Sequence, residues 1–174
     1  MVLDVVTSRQ RNYRQRALPL VHRWEADNKY HSLRWLSLHE PDPERYGLRR
    51  GEPQTITSVA RSMAALADDL GLDDDKACKQ WADSVAGLEH SPSLDPIAGA
   101  IPGIGPALFC YLRMRSGSDA LKPGLRVRNG LRHLGFHTST DEHAILVVAQ
   151  AAATEAGIGL LVLDQLVWWL NETK

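Results

Sequence analysis

Residues 101–136 read IPGIGPALFCYLRMRSGSDALKPGLRVRNGLRHLGF, and two short pieces of this stretch decide the fold. In IPGIGP, Gly103 and Gly105 allow positive φ and close backbone approach, and Pro106 suits the first turn of a helix continuing through Met114. Such a loop presents backbone N–H groups at a helix N-terminus, a geometry that favours an oxygen anion such as a phosphate. With the preceding residues, IAGAIPGIGPALFCYL predicts helix, tight hairpin and helix over about 97–115. The second piece is ambiguous. LRVRNGLRHL alternates apolar and polar residues around Asn129-Gly130, a β-hairpin pattern. The same residues place Val127, Leu131 and Leu134 at helical spacing between Pro123 and Gly135.

The 174 residues suffice for one domain with a sizeable core, so residues 1–174 are expected to form a single unit. Hydrophobic residues at 44% and charged residues at 24% are globular values, and no apolar run nears the roughly 20 residues of a membrane span. MVLDVVTSRQ lacks the features of a signal peptide, which leads to the expectation of a cytoplasmic protein without membrane attachment. Cys78 and Cys110 are expected to stay thiols, and two cysteines cannot hold an iron–sulfur cluster. No HExxH occurs, and His133 and His137 are interrupted by Gly135, so no metal and no cofactor are expected. A net charge of −1 excludes bulk electrostatic coating of nucleic acid, but the charge is uneven. Arg113, Arg115, Lys122, Arg126, Arg128 and Arg132 stand against the single acid Asp119, while DDLGLDDDK at 68–76 is acidic.

Along the rest of the chain, helical spacing predicts an amphipathic helix over about 8–28 kinked at Pro19, with Arg9, Arg11, Arg14 and Arg16 in its first half. Residues 31–53 read as mostly irregular, with a short helix near Leu33 to Leu38. Ile56 to Leu70 makes a clear apolar face ending at Gly71, and Ala77, Trp81, Val85 and Leu88 give another after an acidic first turn. A short helix is expected after SPSLDP. STDE offers a capping box with Ser139 as cap and Glu142 three positions on, opening a helix that Gly157 stops. Leu160, Leu163, Val167 and Leu170 form a final apolar face with Trp168 or Trp169 at its edge.

Over IPGIGPALFCYLRMRSGSDALKPGLRVRNGLRHLG the sequence resembles the helix-hairpin-helix DNA glycosylase superfamily, related to endonuclease III and the 3-methyladenine glycosylases. Through RQRNYRQRALPLV and LDQLVWWL it resembles a compact branch of that superfamily. The resemblance implies an all-α fold of two helical lobes around a DNA cleft, and favours the helical reading of KPGLRVRNGLRHL. It also implies base excision: a nucleotide is flipped from double-stranded DNA and its N-glycosidic bond broken, in repair or in defence against phage DNA with hypermodified bases. Gly103, Ile104, Gly105 and Ala107 would then hold backbone phosphate, with Arg126 and Arg128 adding phosphate contacts. A monomer is expected.

Two departures qualify the activity. Ala107 stands where strand-cutting members carry a lysine, which argues against a Schiff-base lyase step. Gly124 stands where the family has its catalytic aspartate. Another carboxylate can take that role, for which the candidate is Asp164 in VLDQLVWWL; a fragile or bulky modified base can need less help; or the glycine inactivates the site and leaves a DNA-binding or abasic-site-binding module. Gln10, Tyr13, Trp81 and Trp168 are candidates for the base pocket, with core packing the alternative for each aromatic, and His133 is a candidate general acid. A helical protein-interaction domain that uses the hairpin only as a turn is the third class.

Overall fold

The computed structural model describes residues 1–170 of the chain, and no strand occurs among them. Helix α1 (Val2–Thr7) is followed by a π-helical turn (Tyr13–Ala17) that runs into α2 (Leu18–Asp27). Then come α3 (Leu33–Leu38), α4 (Pro43–Tyr46), α5 (Glu52–Leu70), α6 (Asp74–Ser84) and a 3-10 turn (Pro92–Leu94). The second half holds α7 (Pro106–Arg115), α8 (Leu125–His133), α9 (Glu142–Ala156) and α10 (Leu160–Leu170).

The ambiguous 124–134 stretch is helical. Gly124 caps α8 in extended backbone, and Gly135 follows it at φ +90. Asn129-Gly130 makes no turn, because Val127 and Leu131 are buried on one helical face and Gly130 meets α10. The long helix expected at 8–28 is divided. Val2, Leu3, Val5 and Val6 form a buried helix of their own, residues 8–12 make a loop with Gln10 at φ +50, and only then does the chain resume helix. Pro19 widens that helix rather than kinking it further on: the Leu18 N–H reaches back five residues to the Tyr13 carbonyl, as a proline ring that clashes with the carbonyl four residues earlier favours.

Before the hairpin there is no regular α-helix. Asp95, 2% exposed, instead accepts the backbone N–H groups of Ile97, Ala98 and Gly99 at 3.2, 2.9 and 2.9 Å and the Trp81 indole N–H at 3.2 Å. One carboxylate thus organises the turns at 96–100 that lead into the hairpin. A Cβ on Gly99 would lie 1.9 Å from the Pro92 carbonyl oxygen, so that segment closes only with glycine. The expected capping box is also rearranged. Asp141 caps α9 through the Ala144 N–H at 3.0 Å, Ser139 accepts from Asp141 at 3.1 Å, and Glu142 turns toward α7.

Two apolar clusters result. The first gathers α1, α2, α3, α5 and α6 with Leu108, Phe109 and Leu112 of α7. The second gathers α8, α9 and α10 with Cys110 of the same helix. No single helix among the described residues is long and apolar enough to cross a membrane. α9 and α10 together reach that length but meet at a 100° bend, and Ala149, Ala152, Leu163 and Val167 face the second cluster.

α8 and α10 pack at Gly130, where a Cβ would lie 2.4 Å from the Val167 Cβ. Gly130→Ala is therefore expected to cost about 1–3 kcal/mol through overpacking. In a Val167→Gly background, which removes the Cβ and the Cγ1 that the new methyl would meet at 2.4 and 2.8 Å, the same change is expected to cost clearly less, a coupling that urea denaturation of the four proteins of this cycle measures.

Candidate functional site

A cleft of about 1290 Å³ is lined mainly by four separated segments, residues 8–14, the hairpin and the inner face of α7, residues 122–127, and α10 from Asp164 to Trp169, with Leu18 and Glu142 completing it. Its walls follow from local structure in each case. The 8–12 loop is pinned from behind. Arg11 makes paired hydrogen bonds to Glu52 at 2.7 and 2.8 Å, with both side chains nearly buried, and also donates to the Thr7 and Gly47 carbonyls. Glu52 accepts the Arg49 N–H at 2.8 Å, and the Arg49 guanidinium holds the Arg9 and Gln10 carbonyls. Gln10 is thereby fixed in left-handed backbone at the cleft edge.

The hairpin is seated on the first turn of α5. Thr55 Oγ1 donates to the Pro102 carbonyl at 2.8 Å, and Gly103, at φ +96, would bring a Cβ within 2.7 Å of that same oxygen. Gly103 is thus required by backbone and packing. Gly105 is not: its φ of −104 suits any residue, and an added Cβ would meet nothing within 4 Å. What the missing side chain does is leave the start of α7 open to the cleft. The Ala107 N–H at that start is hydrogen-bonded at 3.2 Å to Glu142, a carboxylate lying where an anion would bind.

Gly124 faces the same space. Its backbone is extended and an added Cβ would touch only the Lys122 carbonyl at 3.9 Å, so a carboxylate side chain would fit. Asp164 lines the cleft and accepts the Lys122 backbone N–H at 3.2 Å. Burial pushes its carboxyl up to about 6, partly offset by that N–H and by the Lys122 charge. Lys122 itself has its Nζ 4.3 Å from the centre of the Tyr111 ring and 2.8 Å from Ser8 Oγ. Burial lowers this amine to about 8 against the attraction of Asp4, Asp164 and Glu142. Behind it, Asp4, 3% exposed, accepts the Tyr111 hydroxyl and forms an ion pair with Arg115 Nε, each at 3.2 Å.

On the remaining wall the Arg126 guanidinium lies 3.7 Å over the Trp168 ring, and Tyr13 meets Trp168 edge-on with centroids 6.1 Å apart. A cation stacked on an aromatic plane beside a second ring can grip a planar heterocycle.

Gln10, Tyr13, Gly103, Ile104, Gly105, Ala107, Gly124, Arg126, Asp164 and Trp168 therefore share one cleft. Trp81 and Arg128 do not. Trp81 is 2% exposed in the first cluster, edge-on to Phe109 at 5.8 Å, and its spacing marked a core face. Arg128, two residues along α8 from Arg126, does not line the cleft. His133 also lies outside it, bonded to the Asn129 carbonyl at 2.9 Å. Nor is the basic run a surface stripe: Arg113 is buried, paired with Glu89 and bonded to the Ala82 carbonyl. Lys122, Tyr111 and Glu142 are among the cleft residues that sequence reasoning did not assign to the site, although Lys122 stood in the basic run and Glu142 in the capping-box pattern. Tyr111 carried no such signal. Among the described residues no three His, Cys, Asp or Glu side chains come together to hold a metal ion.

No protein-family model, curated protein or solved structure matches the chain.

The buried Lys122 ammonium is a stability cost with a defined sign. Its folded pKa of about 8 lies below an ordinary lysine's 10.5, so the cost is fully present below pH 8 and disappears as pH rises toward 10.5. Lys122→Met, which keeps the stem and removes the charge, is expected to stabilise the fold by about 1–3 kcal/mol at pH 7. That gain should vanish above about pH 10, a difference that chemical denaturation across pH detects.

Proposed function

We propose that the protein is a DNA glycosylase of the helix-hairpin-helix kind, which binds double-stranded DNA across this cleft and excises a damaged or modified base to leave an abasic site. One observation carries the reading: the hairpin, a desolvated carboxylate and a cation–aromatic cluster, drawn from four distant chain segments, line a single cleft. A hairpin open at Gly105 suits a backbone phosphate, which positions DNA without reading sequence. Tyr13, Trp168 and Arg126 suit a flipped base, with Gln10 able to meet its polar edge. All these groups come from one chain, so a monomer suffices.

In this reading Asp164 replaces the carboxylate that Gly124 lacks. Ionised at neutral pH, it stabilises the positive charge developing on the sugar as the N-glycosidic bond breaks, or takes a proton from the attacking water. The room left at Gly124 suits a bulky base, whether a lesion or the hypermodified base of viral DNA. A second reading, a silent DNA or abasic-site binder, draws support from the same glycine and from Glu142 on the Ala107 N–H.

Duplexes carrying a panel of damaged and hypermodified bases, incubated with the protein and then treated with alkali, should show strand breaks at the modified base. Asp164→Asn should abolish them. The initial rate should rise with pH through about 6, as the catalytic form is the ionised one. Breaks produced only by Gly124→Asp would establish the silent reading. DNA binding should weaken as salt is raised, and Gly105→Ala should weaken binding without lowering the melting temperature.

A further inference from the structure

His90 and His143 are 53 positions apart in sequence, yet their Nδ1 atoms lie 3.1 Å from each other. The rings are stacked, with centroids 5.3 Å apart and planes 27° from parallel. His90 is exposed in the turn that follows α6, and His143 is the second residue of α9. Each is carried by an anchored backbone. Glu89, beside His90, is paired with the buried Arg113 in the last turn of α7. Glu142, beside His143, accepts the Ala107 N–H in the first turn of the same helix. Leu88 packs on the first apolar cluster and Ile145 belongs to the second, so the two imidazoles meet where the clusters adjoin.

Without an ion, one Nδ1 donates its hydrogen to the other. Two nitrogens at this separation, each about 2.1 Å from a shared ion, subtend an angle of about 95° at it. That is near the right angle between neighbouring ligands of an octahedral ion and open enough for a distorted tetrahedral one. Neutral imidazole suits zinc, nickel and copper, whereas magnesium and calcium take oxygen ligands. Because His90 is exposed, water can fill the remaining positions.

We propose that His90 and His143 bind one divalent transition-metal ion of the zinc type through their Nδ1 atoms, a surface site that ties the first turn of α9 to the segment leading into the hairpin. The ion replaces the shared hydrogen, which moves to Nε2 of the ring that carried it, so each ligand is a neutral imidazole. Two protein ligands with water make a weaker site than the three or four of a catalytic or structural zinc, in the micromolar range. Neither histidine lines the cleft, so the site stands whether or not the cleft excises bases.

Calorimetric titration of the full chain with zinc chloride should show one ion bound per chain, and magnesium chloride should show none. At about ten times its Kd, zinc should raise the melting temperature by about 3–6 °C. His90→Gln and His143→Gln should each lower zinc affinity about tenfold or more and remove the thermal shift, while melting like the unaltered protein without zinc. His39→Gln, which removes another exposed imidazole, should bind zinc as the unaltered protein does. Copper(II) in place of zinc should give an electron paramagnetic resonance spectrum split by two nitrogens, reduced to one in either single variant. Should a variant melt early, the copper spectrum of the unaltered protein decides alone. No zinc binding, or a copper spectrum with a single nitrogen, would overturn the site. Zinc held equally by the unaltered protein and by both histidine variants would also overturn it and mark an adventitious ion only.

Discussion

Phe109 and Cys110 are neighbours in sequence, yet one is fully buried in the first apolar cluster and the other in the second. α7 must therefore be covered on opposite sides at once, as a helix apolar around most of its circumference requires. Everything that forms the cleft is referred to this helix. Its N-terminus is set by the hairpin seated on Thr55, Tyr111 supports Lys122 from its inner face, and α9 reaches back to it through Glu142. The cleft runs along the side of α7 that carries Ala107, Leu108, Tyr111, Met114 and Arg115.

Pinning the loop at 8–12 is a separate problem, solved with charge. Glu52 sits in the first turn of α5, where the helix dipole favours an acid, and it is nearly buried because Arg11 satisfies both its oxygens. Removing either partner would strand the other charge, so this pair holds the loop geometry more firmly than an exposed ion pair such as Arg34 and Asp68 holds anything. Lys122 and Asp164 show the opposite arrangement. Both are desolvated without a close ionic partner for their charged atoms, and burial moves each toward its neutral form.

Local signals made much of this legible. The apolar face of α5 ends at Gly71, Gly157 stops α9, and Gly103 takes the positive φ that its place in IPGIGP suggests. The convergence of Gln10, Tyr13, Gly124, Asp164 and Trp168 came from resemblance, since no spacing rule connects residue 10 to residue 164. What escaped was tertiary. Glu142 satisfies the local capping-box pattern, yet the unpaired Ala107 N–H across the cleft outcompetes the local one. Trp81 and Arg113 look like surface-active residues by type, but Asp95 and Glu89 supply the partners that let them be buried. The division of the first helix at residues 8–12 depends on Arg49 and Glu52, some forty residues away.

The emptiness around Gly124 also bears on descent. Its extended backbone and open surroundings impose no folding requirement for glycine, so an aspartate there would be accepted by the scaffold as it stands. Two of the four glycine codons become aspartate by a single base change. Folding therefore offers no barrier between this chain and one with an aspartate at that position. A side chain at position 124 would be felt by whatever enters the cleft before it is felt by the fold.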